Sequence, residues 1–147
     1  TAGRDSIILI LQGLAKAIVK YQDPQSGTWY QVTDQGAREG NYLESSATAL
    51  FIYTLAKAIN KGYIGNEYIE PTQKAFDGMV KTFTRLEEDG SYTITNCCAV
   101  AGLGGDSKRY RDGSFEYYIS EPIIENDPKS VGSFILAAIE YEKMTKK

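Results

Sequence analysis

Two stretches of this sequence are apolar on nearly every side of a helix, and they constrain the fold more than any other feature. The first reads ATALFIYTLAKAI from Ala47, and the second reads KSVGSFILAAIEYEKM from Lys129. A helix with this pattern is buried on most sides, because each large apolar side chain gains roughly 1.5 to 3 kcal/mol from full burial. Both segments are therefore predicted to be inner helices with neighbours on more than one side.

End signals place these two inner helices in the chain. Asn41 is predicted to cap the first helix, Glu44 three residues later completes a capping box, and the helix is predicted to end before Gly62. Asp127 is predicted to cap the other inner helix, with Pro128 as its first helical residue.

Two further helices are predicted from the spacing of apolar residues. One spans residues 5–21, and another, more clearly amphipathic, starts at Pro71. The predicted fold is all-α, with about four helices arranged as two hairpins. Four helices cannot bury two nearly all-round apolar faces, so we expect either a larger barrel that contains this chain or an oligomer.

The connections between the predicted helices differ greatly in length. Residues 22–40 and residues 86–126 form two long connections, whereas the second and third helices are joined by a short one. In an up-and-down arrangement both long connections lie at the same end, where they lead into the inner helices. They contain the stretches GTWYQV, GSYTIT and GSFEYY, which are predicted to form short strands or turns. Helix hairpins with one decorated end are typical of a helical toroid or solenoid.

The residue types limit which metal sites and catalytic groups this chain can contain. The chain has no histidine, and its two cysteines, Cys97 and Cys98, are adjacent, which predicts buried inert thiols rather than a disulfide framework. A structural zinc site, a Ser-His-Asp triad and a Cys-His dyad are therefore excluded within this chain.

The charge of the chain argues against two classes of partner. The net charge is −3 and the Lys and Arg residues are scattered along the sequence, so neither nucleic acid nor a membrane is expected as a partner. The first residue is Thr1 rather than methionine, so we do not expect the gene to begin there.

The first long connection offers aromatic residues that suit sugars. Trp29 and Tyr30 lie next to amide and carboxylate side chains, and sugar C–H faces stack on rings while sugar hydroxyls take directional hydrogen bonds. The alternative is that Trp29, the only tryptophan, closes the end of the barrel as a packing residue. The residue types alone favour packing over stacking.

The second long connection offers two arginines. Arg109 and Arg111 have the side chain that holds a carboxylate in a bidentate manner, and the N-termini of two inner helices at the same end add positive potential. The equally favoured alternative is that both arginines pair with nearby carboxylates, namely Asp106, Asp112 or Glu116.

Three acidic residues near the last helix raise the question of paired acid and base catalysis. Asp127 precedes Pro128 and is explained as a helix cap, and the dipole of the same helix accounts for Glu125. Glu121, between Ser120 and Pro122, is the remaining catalytic candidate.

Several motifs together resemble a known family. The stretches SGTWYQV, GNYLESSATALFIYTLAKAI, GLGG and RDGSFEYYISEPIIENDPKSVGSFILAAIE are similar to the C-terminal part of glycoside hydrolase family 105, the unsaturated rhamnogalacturonyl hydrolases. That family is related to family 88, the unsaturated glucuronyl hydrolases. The resemblance covers essentially the whole chain, so residues 1–147 are interpreted as the incomplete C-terminal portion of an (α/α)6 barrel.

The resemblance implies a reaction and a partner. The implied reaction releases a terminal 4,5-unsaturated uronic acid from a pectin-derived disaccharide, with an aspartic acid protonating the vinyl ether and with no metal or organic cofactor. The implied partners are the oligosaccharide substrate and the missing N-terminal part of the barrel, or else further copies of this chain. The sequence says little about where the protein is located, and the cytoplasm is favoured over the periplasm.

The sequence also departs from the family pattern. The catalytic aspartates and a Trp-x-Arg-Gly-Asn-Gly-Trp motif have no counterpart here, so no catalytic residue is carried over and the chain alone is expected to be inactive. Trp29, Tyr30, Arg111, Tyr117 and Tyr118 are the candidates for lining the substrate cleft or for supporting it. The alternatives left open are a non-catalytic carbohydrate-binding module and a helical interaction or scaffold unit.

Overall fold

Four long helices dominate the computed structural model, which describes residues 2–36, 38–106 and 110–146. The helices are α1 (Ala2–Lys20), α2 (Ser45–Asn60), α3 (Ile69–Phe83), the short α4 (Phe115–Ser120) and α5 (Pro128–Thr145). A 3₁₀ turn (Asn66–Tyr68) leads into α3. The prediction of a largely helical chain is confirmed.

Short strands decorate the second long connection. They are β1 (Thr84–Leu86), β2 (Tyr92–Ile94), β3 (Cys97–Cys98) and β4 (Ile123–Ile124). β1 pairs with β2 and β3 pairs with β4, both antiparallel. The prediction of extended structure for GSYTIT is confirmed by β2. For GSFEYY it is wrong, because Ser114 caps α4 by accepting a hydrogen bond from the Tyr117 backbone N–H at 3.1 Å.

The helix starts show how local signals compete. α5 begins at Pro128 with Asp127 as its cap, as predicted. α2 begins at Ser45 with Glu44 as its cap, so the predicted start at Asn41 is wrong. The Asn41 amide instead donates to the carbonyl oxygens of Val32 and Gln35, at 2.9 and 2.8 Å, and thereby holds the first long connection. α3 begins at Ile69, two residues before Pro71, and proline is tolerated there because first-turn N–H groups have no helical acceptor.

The core lies between the helices. α2 packs along α5, and α3 packs against both, with the Phe76 and Tyr141 rings stacked at 3.9 Å between centroids. Residues from α1, α2, α3 and α5 share one apolar cluster, in which Ala15, Ile52, Leu55, Met79 and Ala137 are completely buried. The two helices predicted to be inner ones, α2 and α5, are therefore neighbours, although Ile135, Leu136 and Ile139 of α5 are about half exposed.

Both long connections lie at the end where α2 begins. The Ser45 backbone N–H donates to the Asn96 carbonyl oxygen at 3.0 Å, and the Asn96 amide donates to the Leu43 carbonyl at 3.3 Å. Leu43 also pairs with Tyr30 in an isolated β-bridge. The prediction that the two connections share one end is confirmed.

Candidate functional site

Trp29 is fully buried, and its contacts are those of a packing residue. Its indole N–H donates to the Ile18 carbonyl oxygen at 2.8 Å, near the end of α1. Its ring meets the edge of Phe51 at 5.2 Å between centroids. These contacts agree with the packing alternative, and a role for Trp29 in lining a sugar cleft stays a prediction.

The turn before Trp29 is held tightly against α3. A Cβ on Gly78 would lie 1.9 Å from the Ser26 carbonyl oxygen, and Gly27 has a φ of +75°. Only glycine permits so close a backbone approach and so readily adopts that angle. Tyr30 is half-buried beside this turn, and its ring lies over Gly36, where a Cβ would be 2.8 Å from a ring carbon.

Glu44 joins the two long connections. Its carboxylate accepts hydrogen bonds from the Ala47 N–H at 2.6 Å, the Ser46 hydroxyl at 2.8 Å and the Cys98 N–H at 3.0 Å. The side chain is almost completely buried, so its charge is stabilised by these neutral donors and by the N-terminus of α2. Sequence reasoning assigned Glu44 to a capping box and missed this role, although an acidic residue directly before SSATAL was the available signal.

Cys98 belongs to the same buried network. Its thiol donates to the Val100 carbonyl at 3.1 Å and accepts from the Gln31 amide at 3.2 Å, and both cysteines are free, as predicted. Burial raises the pKa of Cys97, and the negative charge of Glu44 adds to that rise. Burial also raises the pKa of the Tyr42 hydroxyl. The raised pKa values keep Cys97 and Tyr42 protonated, so Cys97 is not a ready thiolate nucleophile.

A cavity of about 310 Å³ opens beside this network. Its rim includes Lys129, whose ammonium donates to Asp127 at 2.7 Å and to the Ala99 carbonyl at 3.1 Å. The lining combines a buried carboxylate, hydroxyl and amide groups, and small apolar side chains: Gln31, Glu44, Ser46, Ala47, Cys98, Ala99, Val100, Ala101 and Lys129. Such a lining suits a polar, uncharged group such as a sugar hydroxyl.

Arg111 and Glu121 form the second cluster of polar groups. The Glu121 side chain is completely buried, and its carboxylate lies 3.7 Å from the Arg111 Nε atom. The Arg111 side chain is 31% exposed, and its Nε makes no hydrogen bond with any described residue. Gly104 and Arg111 exchange two backbone hydrogen bonds of 2.9 Å, which fix the Arg111 backbone beside Gly104.

Two tyrosines complete this second cluster. The Tyr117 hydroxyl donates to the Gly102 carbonyl at 2.7 Å, and the Tyr117 and Tyr118 rings lie 4.9 Å apart between centroids. Burial raises the pKa of Tyr117, and the charge of Glu121 raises it further. The structure therefore brings Arg111, Tyr117, Tyr118 and Glu121 together, and Trp29 packs in the core instead.

The predicted partners of Arg111 need correction. Arg111 lies against Glu121, whereas Asp112 accepts a hydrogen bond from the Ser114 N–H at 2.9 Å and Glu116 pairs with Arg38. Arg109 lies outside the described residues. The contact with Arg111 gives Glu121 a structural explanation that the sequence did not supply, and its candidacy as a catalytic acid stays a prediction.

Asp127 has the structural role predicted for it and caps α5 by accepting from the Lys129 N–H at 2.8 Å. Glu125, which was predicted to be stabilised by the helix dipole alone, instead accepts two hydrogen bonds from Arg85, at 2.7 and 2.8 Å. Among the described residues, no cluster of three or more potential metal ligands is found. None of the described helices is both long enough and apolar enough to span a membrane.

Comparison with known proteins gives a family match over nearly the whole chain. Residues 1–145 match the family described as Glycosyl Hydrolase Family 88. Protein Atu3128 of Agrobacterium fabrum and the 24.9 kDa protein in picA locus of Rhizobium radiobacter are each 38% identical to this chain over 120 residues. Each alignment covers 79% of this chain and 52% of the relative. The chain therefore spans about half the length of these curated relatives.

Solved structures give the same result at the level of the fold. A Clostridium acetobutylicum glycoside hydrolase from family 105 is 45% identical with a TM-score of 0.91, over 95% of this chain and 38% of that one. A possible family 105 member from Salmonella enterica is 26% identical with a TM-score of 0.78, over 99% of this chain and 33% of that one. A glycosyl hydrolase family 88 protein from Bacteroides vulgatus is 28% identical with a TM-score of 0.65, over 96% of this chain and 36% of that one. The predicted partial (α/α)6 barrel is confirmed.

Proposed function

We propose, since this chain belongs to glycosyl hydrolase family 88, that it is part of an enzyme that releases a terminal 4,5-unsaturated uronic acid. The proposed substrates are rhamnogalacturonan disaccharides derived from pectin. The chain supplies part of the substrate cleft, and by itself it is inactive.

The arrangement around Arg111 is the observation that carries this proposal. Its side chain is partly exposed although its Nε is buried beside the Glu121 carboxylate, and two tyrosine rings lie in the same cluster. An arginine recognises a carboxylate with paired N–H donors, and aromatic rings stack on sugar C–H faces. A uronic acid presents both features, a carboxylate and a sugar ring.

The backbone at Gly102 runs beside the Arg111 guanidinium, since a Cβ on Gly102 would lie 3.5 Å from an Arg111 terminal nitrogen, an ordinary contact distance. The Gly102 carbonyl also accepts from Tyr117 and thereby holds this ring in place. The buried Glu121 carboxylate lies 3.7 Å from the Arg111 Nε, and in the proposed complex the terminal nitrogens of Arg111 bind the uronate carboxylate.

The proposed chemistry needs an acid from outside these residues. Protonation of the C4–C5 double bond, followed by addition of water at C5, gives a hemiketal that opens and releases the rest of the disaccharide. Glu121 is already engaged with Arg111, so we assign the proton to no residue of this chain. The role proposed for the chain is to bind and orient the uronate.

The test uses a chimera in which this chain replaces the matching part of the Clostridium acetobutylicum protein. Loss of ultraviolet absorbance of the unsaturated uronate measures turnover, and we expect the chimera to be active and the chain alone to be silent. Arg111→Met in the chimera should raise KM about tenfold or more, the loss expected when a charge-assisted hydrogen bond is removed. Arg85→Met, which removes an arginine paired with Glu125 elsewhere, is the matched control and should leave KM unchanged.

Two results would contradict the proposal. One is turnover by the 147-residue chain alone at the rate of the unmodified Clostridium protein, and the other is an unchanged KM for Arg111→Met. Sugar binding by the isolated chain, measured by calorimetry and lost in Arg111→Met, would favour a carbohydrate-binding module instead. Trp29→Ala does not discriminate between these functions, because removing a fully buried indole destabilises the fold itself.

A further inference from the structure

Arg38 links the first long connection to helix α4. Its guanidinium lies over the Phe115 ring, 3.8 Å from the ring centroid, and one terminal nitrogen donates to the Glu116 carboxylate. The other terminal nitrogen donates to the side-chain carbonyl oxygen of Gln35 at 2.8 Å. One side chain therefore contacts the first two residues of α4 while it is held within its own connection.

Gly40 extends this contact along α4. A Cβ on Gly40 would lie 2.9 Å from the Ile119 Cδ1 atom, so the backbone of the first connection packs directly on the helix. Ile119 follows Phe115 by four residues, and residues with this spacing share a helix face. Arg38 and Gly40 therefore press on the same side of α4, and we call these two residues the α4 clamp.

The short helix α4 depends on such contacts. It has six residues, and an isolated helix of fewer than about 12 residues is marginal in water. The ion pair alone contributes little, because the Arg38 and Glu116 side chains are 45% and 69% exposed. The ring contact adds to it, since a guanidinium can stack its planar face on a ring while its N–H edge pairs with a carboxylate.

The same helix carries part of the proposed uronate-binding cluster. Tyr117 and Tyr118 lie in α4, and Glu121 follows its last residue. The Tyr117 hydroxyl donates to the Gly102 carbonyl, and the Gly102 backbone runs beside the Arg111 guanidinium. Helix α4 therefore lies between the α4 clamp and the cluster, and a change in its position would displace both tyrosine rings.

We propose that Arg38 is a positioning residue for uronate binding, which holds α4 and thereby the cluster around Arg111 in the binding arrangement. This inference rests on the function proposed for that cluster. A site that is formed for only part of the time binds its ligand more weakly in proportion to that fraction. Loss of Arg38 therefore weakens binding of the uronate but leaves the rate of the bound complex unchanged, because no residue of this chain is assigned to the proton transfer.

The test uses steady-state kinetics of the chimera on the unsaturated disaccharide. Arg38→Met should raise KM about three- to tenfold and keep kcat within about twofold of the unmodified chimera. Arg38→Lys retains the charge but not the planar guanidinium, so its KM should lie in between. Arg38→Met should add little to the KM of Arg111→Met, because both substitutions act on one cluster. Arg85→Met removes an exposed arginine that pairs with Glu125, and this matched control should leave KM unchanged.

Hydrogen exchange of the same variants gives a measurement that does not depend on turnover. The Tyr117 N–H donates to the Ser114 hydroxyl and the Tyr118 N–H donates to the Ser114 carbonyl, each at 3.1 Å. Both amides therefore report local opening of α4. Arg38→Met should speed their exchange about threefold or more, whereas Arg85→Met should not change it.

The outcomes separate this inference from the proposed function. An unchanged KM for Arg38→Met beside a raised KM for Arg111→Met would overturn the role of Arg38 and leave the proposed function intact. A lower kcat with an unchanged KM would also overturn it, because a smaller folded fraction gives that result. Unchanged exchange at Tyr117, or fully additive effects on KM in the double variant, would do the same. An unchanged KM for both single variants would contradict the proposed function and this inference with it.

Discussion

The two long connections solve the same physical problem, burial of a carboxylate, in different ways. In the first, Glu44 is surrounded by neutral donors at 2.6 to 3.0 Å, two of which are backbone N–H groups. In the second, Glu121 is buried beside a guanidinium at 3.7 Å that remains 31% exposed. Backbone donors have fixed positions and therefore hold structure, whereas the Arg111 side chain still reaches solvent, which is why we propose it as the group that binds the uronate.

The largest effect on stability is expected for Glu44→Ala. The substitution leaves the N–H groups of Ala47 and Cys98 without their acceptor and removes the cap of α2. We expect a loss of about 2 to 4 kcal/mol in the free energy of unfolding, measured by chemical denaturation. Glu39→Ala, at an exposed carboxylate of the same connection, is the control and should cost less than about 0.5 kcal/mol. Equal losses for the two variants would show that Glu44 does not join the connections.

A smaller effect is expected for Arg111→Met, which removes the guanidinium that lies beside the buried Glu121 carboxylate. Full burial of both partners would make the loss larger, but the arginine is partly in solvent, so we expect about 1 to 3 kcal/mol. The double variant Arg111→Met/Glu121→Met should recover much of that loss, because an apolar pair needs no compensation. Additive losses in the two single variants would contradict the pairing of these two residues.

The smallest effect is expected for Glu125→Gln, which tests an exposed carboxylate. Hydrogen bonds from Arg85 hold the pKa of Glu125 below its usual range. A lowered folded-state pKa stabilises the protein above the unfolded pKa of about 4.3, and this stability is lost as the pH falls through the folded value. The difference in Tm between the wild type and Glu125→Gln should therefore be small at pH 7 and shrink towards zero below about pH 4. A difference that does not depend on pH would contradict this origin.

Sequence reasoning was most successful where a signal was local. Asp127 and Pro128 predicted the start of α5, because a cap and a proline in the first turn act within one turn of helix. The apolar pattern of α2 predicted a helix with many buried residues, which the structure confirms. The same prediction for α5 stays a prediction, because Ile135, Leu136 and Ile139 are about half exposed. The common end of the long connections then followed from chain geometry.

Sequence reasoning failed where distant or competing contacts decide the outcome. Asn41 is a good cap in isolation, but its amide is engaged by the carbonyls of Val32 and Gln35, and Glu44 caps α2 instead. The extended preference of GSFEYY is overridden by the cap from Ser114. The pairing of Arg111 with Glu121 depends on the turn fixed by Gly104, which a pattern of residue types does not reveal.

The buried Trp29 makes the attachment of α1 visible by spectroscopy. It is the only tryptophan of the chain, its indole N–H is bonded to the Ile18 carbonyl of α1, and its ring meets Phe51 of α2. Its fluorescence therefore reports on one interface, the contact between α1 and α2, without any label. If α1 separates before the rest of the fold, the emission will shift to longer wavelength while most of the helical circular dichroism remains.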